Sequence, residues 1–187
     1  MKTLLLVSMF LGVISVSANA STVQTVESVD LTRYQGKWYE IATIPQSFQK
    51  KCLKNVTAEY KILNNGQVEV LNSCDTKSGR DVAEGRAKVV DSQTNAKLKV
   101  TFVKLFNWVF AFGGDYWIID LEPNYQYVVV GHPTREYGWI LARTPVISDA
   151  DMESIKEKLV EQGYDLCKFQ LTVQDGGTPV KESLCKN

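Results

Sequence analysis

The chain has 187 residues, 44% of them apolar and 10% aromatic; 21 Lys and Arg balance 21 Asp and Glu, and there is one His. Zero formal charge supplies no basic field for nucleic acid, and the apolar content is too high for disorder. One His leaves little for a zinc site or a His-dependent triad, and the length suits one domain with its own core.

Met1-Lys2, an apolar run from Leu4 to Val16 and then Ala18-Asn19-Ala20 read as a secretory signal peptide over 1–20, cut after Ala20. The run is shorter than the ~20 residues that span a bilayer. The first cysteine is Cys52, so no N-terminal Cys is placed to carry a bacterial lipid anchor. The expected product is soluble and exported, periplasmic or extracellular. Residues 21–28 are polar and read as a flexible lead-in, 29–174 as the domain, and 175–187 as a tail.

From Trp38 onward the pattern is short strands. Trp38–Ala42 is the first, stopped by Pro45; Val56–Leu63 and 67–71 flank Asn64-Asn65-Gly66, a hairpin signal. Further strands are expected over 84–90, 97–103, 115–121, 125–131 and 137–143. About eight strands with no helices between them point to an antiparallel sandwich or barrel. Ser148 and Asp151 form a capping box for one helix that carries Met152, Ile155 and Leu159 on one face and stops at Gly163. A short strand over 168–173 follows.

Four cysteines in an oxidising compartment favour two disulfides. Cys52–Cys74, which flank one hairpin, and Cys167–Cys185, which tie the tail to the body, are preferred. The crossed pairing, Cys52–Cys185 with Cys74–Cys167, stays open. No CxxC pair or other ligand spacing is present, so neither metal nor cofactor is expected.

Three segments carry a resemblance: Gly36-Lys37-Trp38-Tyr39-Glu40-Ile41; Tyr116-Trp117-Ile118-Ile119-Asp120 with Tyr125-Gln126-Tyr127-Val128; and Trp139-Ile140-Leu141-Ala142-Arg143-Thr144-Pro145 just before the helix. In this order, and over about residues 29–173, they resemble the lipocalin family, in the branch of bacterial outer-membrane lipocalins, apolipoprotein D and plant temperature-induced lipocalins. The resemblance implies an all-β, eight-stranded antiparallel up-and-down barrel with one C-terminal α-helix packed outside. It implies that Trp38 and Arg143 meet as a structural plug at the closed end, with Gly36 allowing close approach or positive φ. It also implies a small lipophilic ligand such as a fatty acid or lysophospholipid.

Alternation assigns the lumen face. If Arg143 points in, so do Leu141 and Trp139; if Trp38 points in, so do Glu40 and Ala42. Val56, Ala58, Tyr60 and Ile62 share one face, and Leu98, Val100 and Phe102 another. The candidate ligand-binding residues are Glu40, Tyr60, Val100, Phe102, Trp139 and Leu141, with Glu40 and Tyr60 as polar handles. The loop Lys104–Gly114, with Phe106, Trp108, Phe110 and Phe112, either packs over the barrel mouth or core or faces a lipid or partner. Through 105–112 a transient membrane contact is expected, in a monomer or homodimer. Asn55-Val56-Thr57 matches N-glycosylation. The alternative class is an enzyme on this fold, of isomerase or de-epoxidase type. Against it, His132 stands before Pro133 in a turn with no visible nucleophile partner, and no catalytic or phosphate-binding motif is present.

Overall fold

The computed structural model describes residues 22–186, and the expected signal peptide lies outside them. Alternating runs become strands β1 (Gly36–Thr43), β2 (Lys54–Ile62), β3 (Val68–Thr76), β4 (Gly79–Val89), β5 (Lys97–Thr101), β6 (Gly114–Leu121), β7 (Tyr127–Gly131) and β8 (Gly138–Ala142). Each pairs antiparallel with the next, and β1 pairs with both β8 and β2, which closes an eight-stranded up-and-down barrel. Closure removes the sheet edges on which a flat sheet would aggregate. The Asn64-Asn65-Gly66 turn forms as expected, with Gly66 at φ +77° and Leu63 N–H bonded to the Gln67 carbonyl. The β3–β4 hairpin runs further than expected, through 72–76 and 79–83, to a tight turn at Thr76–Gly79.

A short helix, α1 (Leu31–Tyr34), precedes the barrel, and α2 (Asp149–Glu161) follows it. Ser148 Oγ accepts from Asp151 N–H at 3.1 Å and donates to the Asp151 carboxylate at 2.6 Å. The return contact of this cap thus reaches the hydroxyl and not the backbone. A two-residue strand, β9 (Gln170–Leu171), pairs with the far half of β1.

Two apolar clusters divide the molecule across the barrel wall. The outer one sets Ile155 and Leu159 of α2, with Phe169, Leu171 and Leu184, against Ile41, Ala42, Ile119, Val129 and Ile140 of the wall. The inner one fills the lumen near one end with Trp38, Ala58, Tyr60, Val70, Leu98, Ile118, Val128, Val130 and Leu141. Alternation along each strand sends neighbouring residues to the two clusters.

The expected flexible lead-in is instead anchored over its described part. Val23 is buried in the outer cluster, Val26 N–H bonds the Ile118 carbonyl, and Val29 N–H bonds that of Thr94. Spaced valines in a polar stretch carry too little periodicity to read as structure, yet each finds an apolar slot. The chain then crosses the end of the barrel, where α1 drops Tyr34 inside. The cysteines form Cys52–Cys74 and Cys167–Cys185. Asn55 stands at φ +55°, and its amide donates to Asp75 and Asp175 while its carbonyl oxygen accepts from Asp175 N–H. It therefore ties the tail to the rim.

Candidate functional site

The lumen has two unlike ends. At the closed end the Arg143 guanidinium lies 3.7 Å from the centroid of the Trp38 ring. Its nitrogens donate to the carbonyls of Arg33 (2.7 Å), Gln35 (2.9 Å), Lys37 (3.1 Å) and Tyr125 (3.3 Å). Trp38 is fully buried and donates its indole N–H to the Tyr34 carbonyl at 2.8 Å. Gly36 has φ +90°, and a Cβ there would sit 3.5 Å from Arg143 Nη1. A planar fork that stacks on an aromatic face while its donors satisfy loop carbonyls suits this position.

Just inside lie three phenols. Tyr116 hydroxyl meets that of Tyr34 at 2.7 Å and that of Tyr60 at 3.0 Å. Burial pushes the Tyr60 hydroxyl up to about 12 and those of Tyr34 and Tyr116 well above their ordinary value, so all three stay neutral donors. They border a void of about 20 Å³ lined also by Val68, Leu98 and Val100. Tyr60 was legible from its strand; its partners come from α1 and β6 and had no sequence signal connecting them.

Register settles which side chains face inward. Glu40 pairs with Leu141, and Thr43 with Trp139, while Tyr39 pairs with Ala142. Leu141 belongs to the inner cluster and Ala142 to the outer, so Glu40 stands on the lumen side. Ala42 does not: a register shift between Glu40 and Ala42 turns it into the outer cluster. A bulge adds one residue and inverts the faces beyond it, which corrects the inward placement expected for Ala42. Val100 and Trp139 pack against the inner cluster. Phe102 stands over Gly85, where an added Cβ would come within 2.7 Å of the ring, and is 46% exposed toward the open end. Asn72 of β3 pairs with Ala58 and Ala83 on the lumen face, and its Oδ1 is buried without a partner. Its place in the series Val68, Val70, Asn72 was the available signal for it.

The open end carries the loops 44–53, 102–113 and 132–137. A cavity of about 270 Å³ lies between the 44–53 loop, β1 and β9, lined by Glu40, Thr43, Gln49, Val56, Thr172 and Lys181 among others. Glu40 is buried and accepts from the Thr172 hydroxyl at 2.6 Å and from Gln49 Nε2 at 2.9 Å. Burial pushes its carboxyl above the ordinary range, against those two hydrogen bonds and the field of Lys181. Gln174 donates to the carbonyls of Glu40 and Val56 and so bridges the fork where β2 leaves β1.

The aromatic loop divides. Its tip is in solvent: Leu105 is 73% exposed and Phe106 fully so, with Phe112 exposed nearby. Its base is half-buried, where Trp108 faces Arg86 and Lys104, and Phe110 faces Lys88. His132 sits in the turn after β7, its Nδ1 2.9 Å from Thr134 Oγ1, outside the lumen cluster. All four cysteines are in disulfides, and no cluster of metal-ligating side chains occurs among the described residues.

A family model described as a lipocalin-like domain matches residues 29–174. This chain belongs to the lipocalin family. Members of that family generally bind small hydrophobic ligands. The lipocalin chain is 37% identical over 158 residues to temperature-induced lipocalin-1 of Arabidopsis thaliana, covering 83% of this chain and 85% of that one. It is 35% identical over 156 residues to the outer membrane lipoprotein Blc of Escherichia coli K12, with 82% and 84% covered. It is 31% identical over 156 residues to apolipoprotein D of Mus musculus, with 79% and 78% covered. Among solved structures, insecticyanin from the tobacco hornworm Manduca sexta superposes with a TM-score of 0.66 at 21% identity, over 87% of this lipocalin and 96% of that chain; at that identity the likeness speaks for the fold.

Proposed function

We propose that this lipocalin binds, stores or transports a small lipophilic ligand of the fatty acid or lysophospholipid class in its barrel, as an exported protein of the periplasm or extracellular medium. One observation carries the reading: the apolar inward face does not end in packed core but continues to the open end, where Phe102 is 46% exposed. Each methylene buried there contributes about 0.8 kcal/mol, so an acyl chain of ordinary length gains enough to be held. Tyr60, Val100 and Leu141 contact the deeper part of the ligand, and Glu40, Phe102 and Trp139 its outer part. Gly36, Trp38 and Arg143 keep the far end shut. The role is carriage and not catalysis. No thiol is free to act as nucleophile, and His132 is engaged with its own turn.

The 105–112 loop meets the membrane during loading or delivery. Exposed Leu105, Phe106 and Phe112 supply apolar tips, and the exposed Lys88 and Lys104 beside them supply cations for acidic headgroups. Mass spectrometry of the natively purified protein is expected to find bound lipid, and fatty acids or lysophospholipids to quench its tryptophan fluorescence. Absence of both overturns the carrier reading. Phe106→Ser with Phe112→Ser is expected to slow lipid transfer from vesicles; unchanged transfer removes the membrane contact from the proposal.

A further inference from the structure

The cavity at the open end is more polar, and polar in a more particular way, than an acyl tail requires. Glu40 is 4% exposed and stands within no ion pair among the described residues; its two hydrogen bonds come from the neutral groups of Thr172 and Gln49. A carboxylate offers about four lone-pair sites, so two of these remain. Gln49 donates its Nε2 to Glu40, while its own Oε1 is buried without a partner. Both residues line the same cavity of about 270 Å³. An orphaned buried acceptor beside a buried carboxylate is a costly pair unless a cationic donor joins it.

The cations at hand do not play that part. Lys50 and Lys181 line the cavity, but both are exposed at its rim, where water screens them, and Lys181 Nζ donates to the Cys52 carbonyl at 3.4 Å. The register continues from the cavity to the lumen: Glu40 is opposite Leu141, and Thr43 opposite Trp139. A group held at Glu40 can therefore carry a chain that runs along the inward face.

We propose that this cavity is a subsite for an ammonium group carried by a single-chain amphiphile, with Glu40 as counter-ion and Gln49 Oε1 as a second acceptor. The inference rests on the carrier reading and names the head group of its ligand. A primary ammonium has three donors and meets both acceptors at once. Burial pushes the Glu40 carboxyl upward when the cavity lacks such a partner, and a cation at hydrogen-bond distance favours its charged form. The same ammonium chemistry is presented by a free long-chain amine and by an ethanolamine-headed lysophospholipid, whose phosphate would lie toward Lys50 and Lys181.

Calorimetric titration of the mature protein with dodecylamine, dodecanol and dodecanoic acid tests the proposal, beside Glu40→Gln and Gln49→Leu. The wild type is expected to bind dodecylamine about tenfold or more tighter than dodecanol. Glu40→Gln is expected to erase that preference, bringing dodecylamine to the affinity that the same variant shows for dodecanol, and Gln49→Leu to reduce it. Circular dichroism and melting establish that each variant is folded. Lauroyl lysophosphatidylethanolamine against lauroyl lysophosphatidic acid separates the sources. Loss on Glu40→Gln for the first lipid alone assigns the site to a phospholipid head, and a response confined to dodecylamine assigns it to free amines. A wild type without amine preference, or a Glu40→Gln protein that keeps it, overturns the proposal while dodecanol binding preserves the carrier reading. Failure of dodecanol to bind overturns the carrier reading and the subsite with it.

Discussion

The two ends of one barrel are built on opposite principles. At the closed end nearly every group is satisfied. Trp38 is fully buried, Arg143 reaches four carbonyls, three tyrosine hydroxyls bond one another, and a void of only about 20 Å³ remains. At the open end a cavity of about 270 Å³ holds a carboxylate without a cation and an amide oxygen without a partner, and apolar loop tips stand in water. Stability is concentrated where the chain closes the barrel, and incomplete interactions collect where a ligand or a membrane would complete them. Substitutions at the closed end should therefore unfold the protein, and those at the open end should alter binding while sparing the fold.

Trp38→Ala tests the contrast hardest. It empties a fully buried site and removes the face on which Arg143 stacks, so a loss of about 3–5 kcal/mol in urea denaturation is expected. A loss below about 1 kcal/mol would break the comparison. Arg143→Lys keeps the charge but loses the planar fork, and a cost of about 2 kcal/mol is expected in the same measurement.

Glu40→Gln should change stability in the other direction. In the native state burial raises the Glu40 carboxyl above its unfolded value. Between those two values the folded protein holds a proton that the unfolded chain has released, so the contribution of this group falls as pH rises through the window. It is fully present below the ordinary glutamate range and lost above the raised native value. The variant lacks this titration, and Gln49 can turn its amide to pair with the new one. A higher melting temperature than the wild type is expected at neutral pH, the gain vanishing as pH falls below the ordinary carboxylate range, measured as melting temperature against pH. A destabilised variant at neutral pH would place Glu40 with the closed end, as a structural group.

Leu105→Ser with Phe106→Ser should produce the smallest change in stability, within about 0.5 kcal/mol, because both side chains are already in solvent. Binding to acidic vesicles, followed by co-sedimentation, should fall nonetheless. A stability loss above about 1 kcal/mol would mean that the tip is packed, and the contrast between the ends would be less sharp.

Much of this architecture was legible in the sequence because its cause is local. Leu98 and Val100 alternate with polar residues on β5, Asn64-Asn65-Gly66 turns the chain, and Ser148 with Asp151 starts α2. Three separated motifs placed Trp38 and Arg143 in a lipocalin barrel, and the geometry brings them together at 3.7 Å. The anchoring of the lead-in was not legible, because Val23 and Val26 are isolated and gain their burial only from the barrel they cover. The bulge after Glu40 was not legible either, since an added residue leaves no mark on composition while reversing the face of Ala42. Of the site, Tyr60 and Glu40 followed from strand alternation, and Asn72 continues that alternation one residue beyond the expected 67–71 strand; Tyr34, Tyr116, Gln49 and Thr172 carried no such signal.

The sequence by itself determined the periodicities, the turns, the cap and the family, because each depends on residues within a few positions or on a motif recognised whole. Tertiary structure alone decided the chemistry of the two ends. Thr172 reaches Glu40 across 132 positions, and Gln174 joins β1 to β2 from 118 positions beyond Val56. Those contacts exist because β9 takes the edge of β1 that β2 vacates. An edge exchange of this kind depends on how far two strands stay paired before twist separates them, which the whole closed sheet sets and no local window contains.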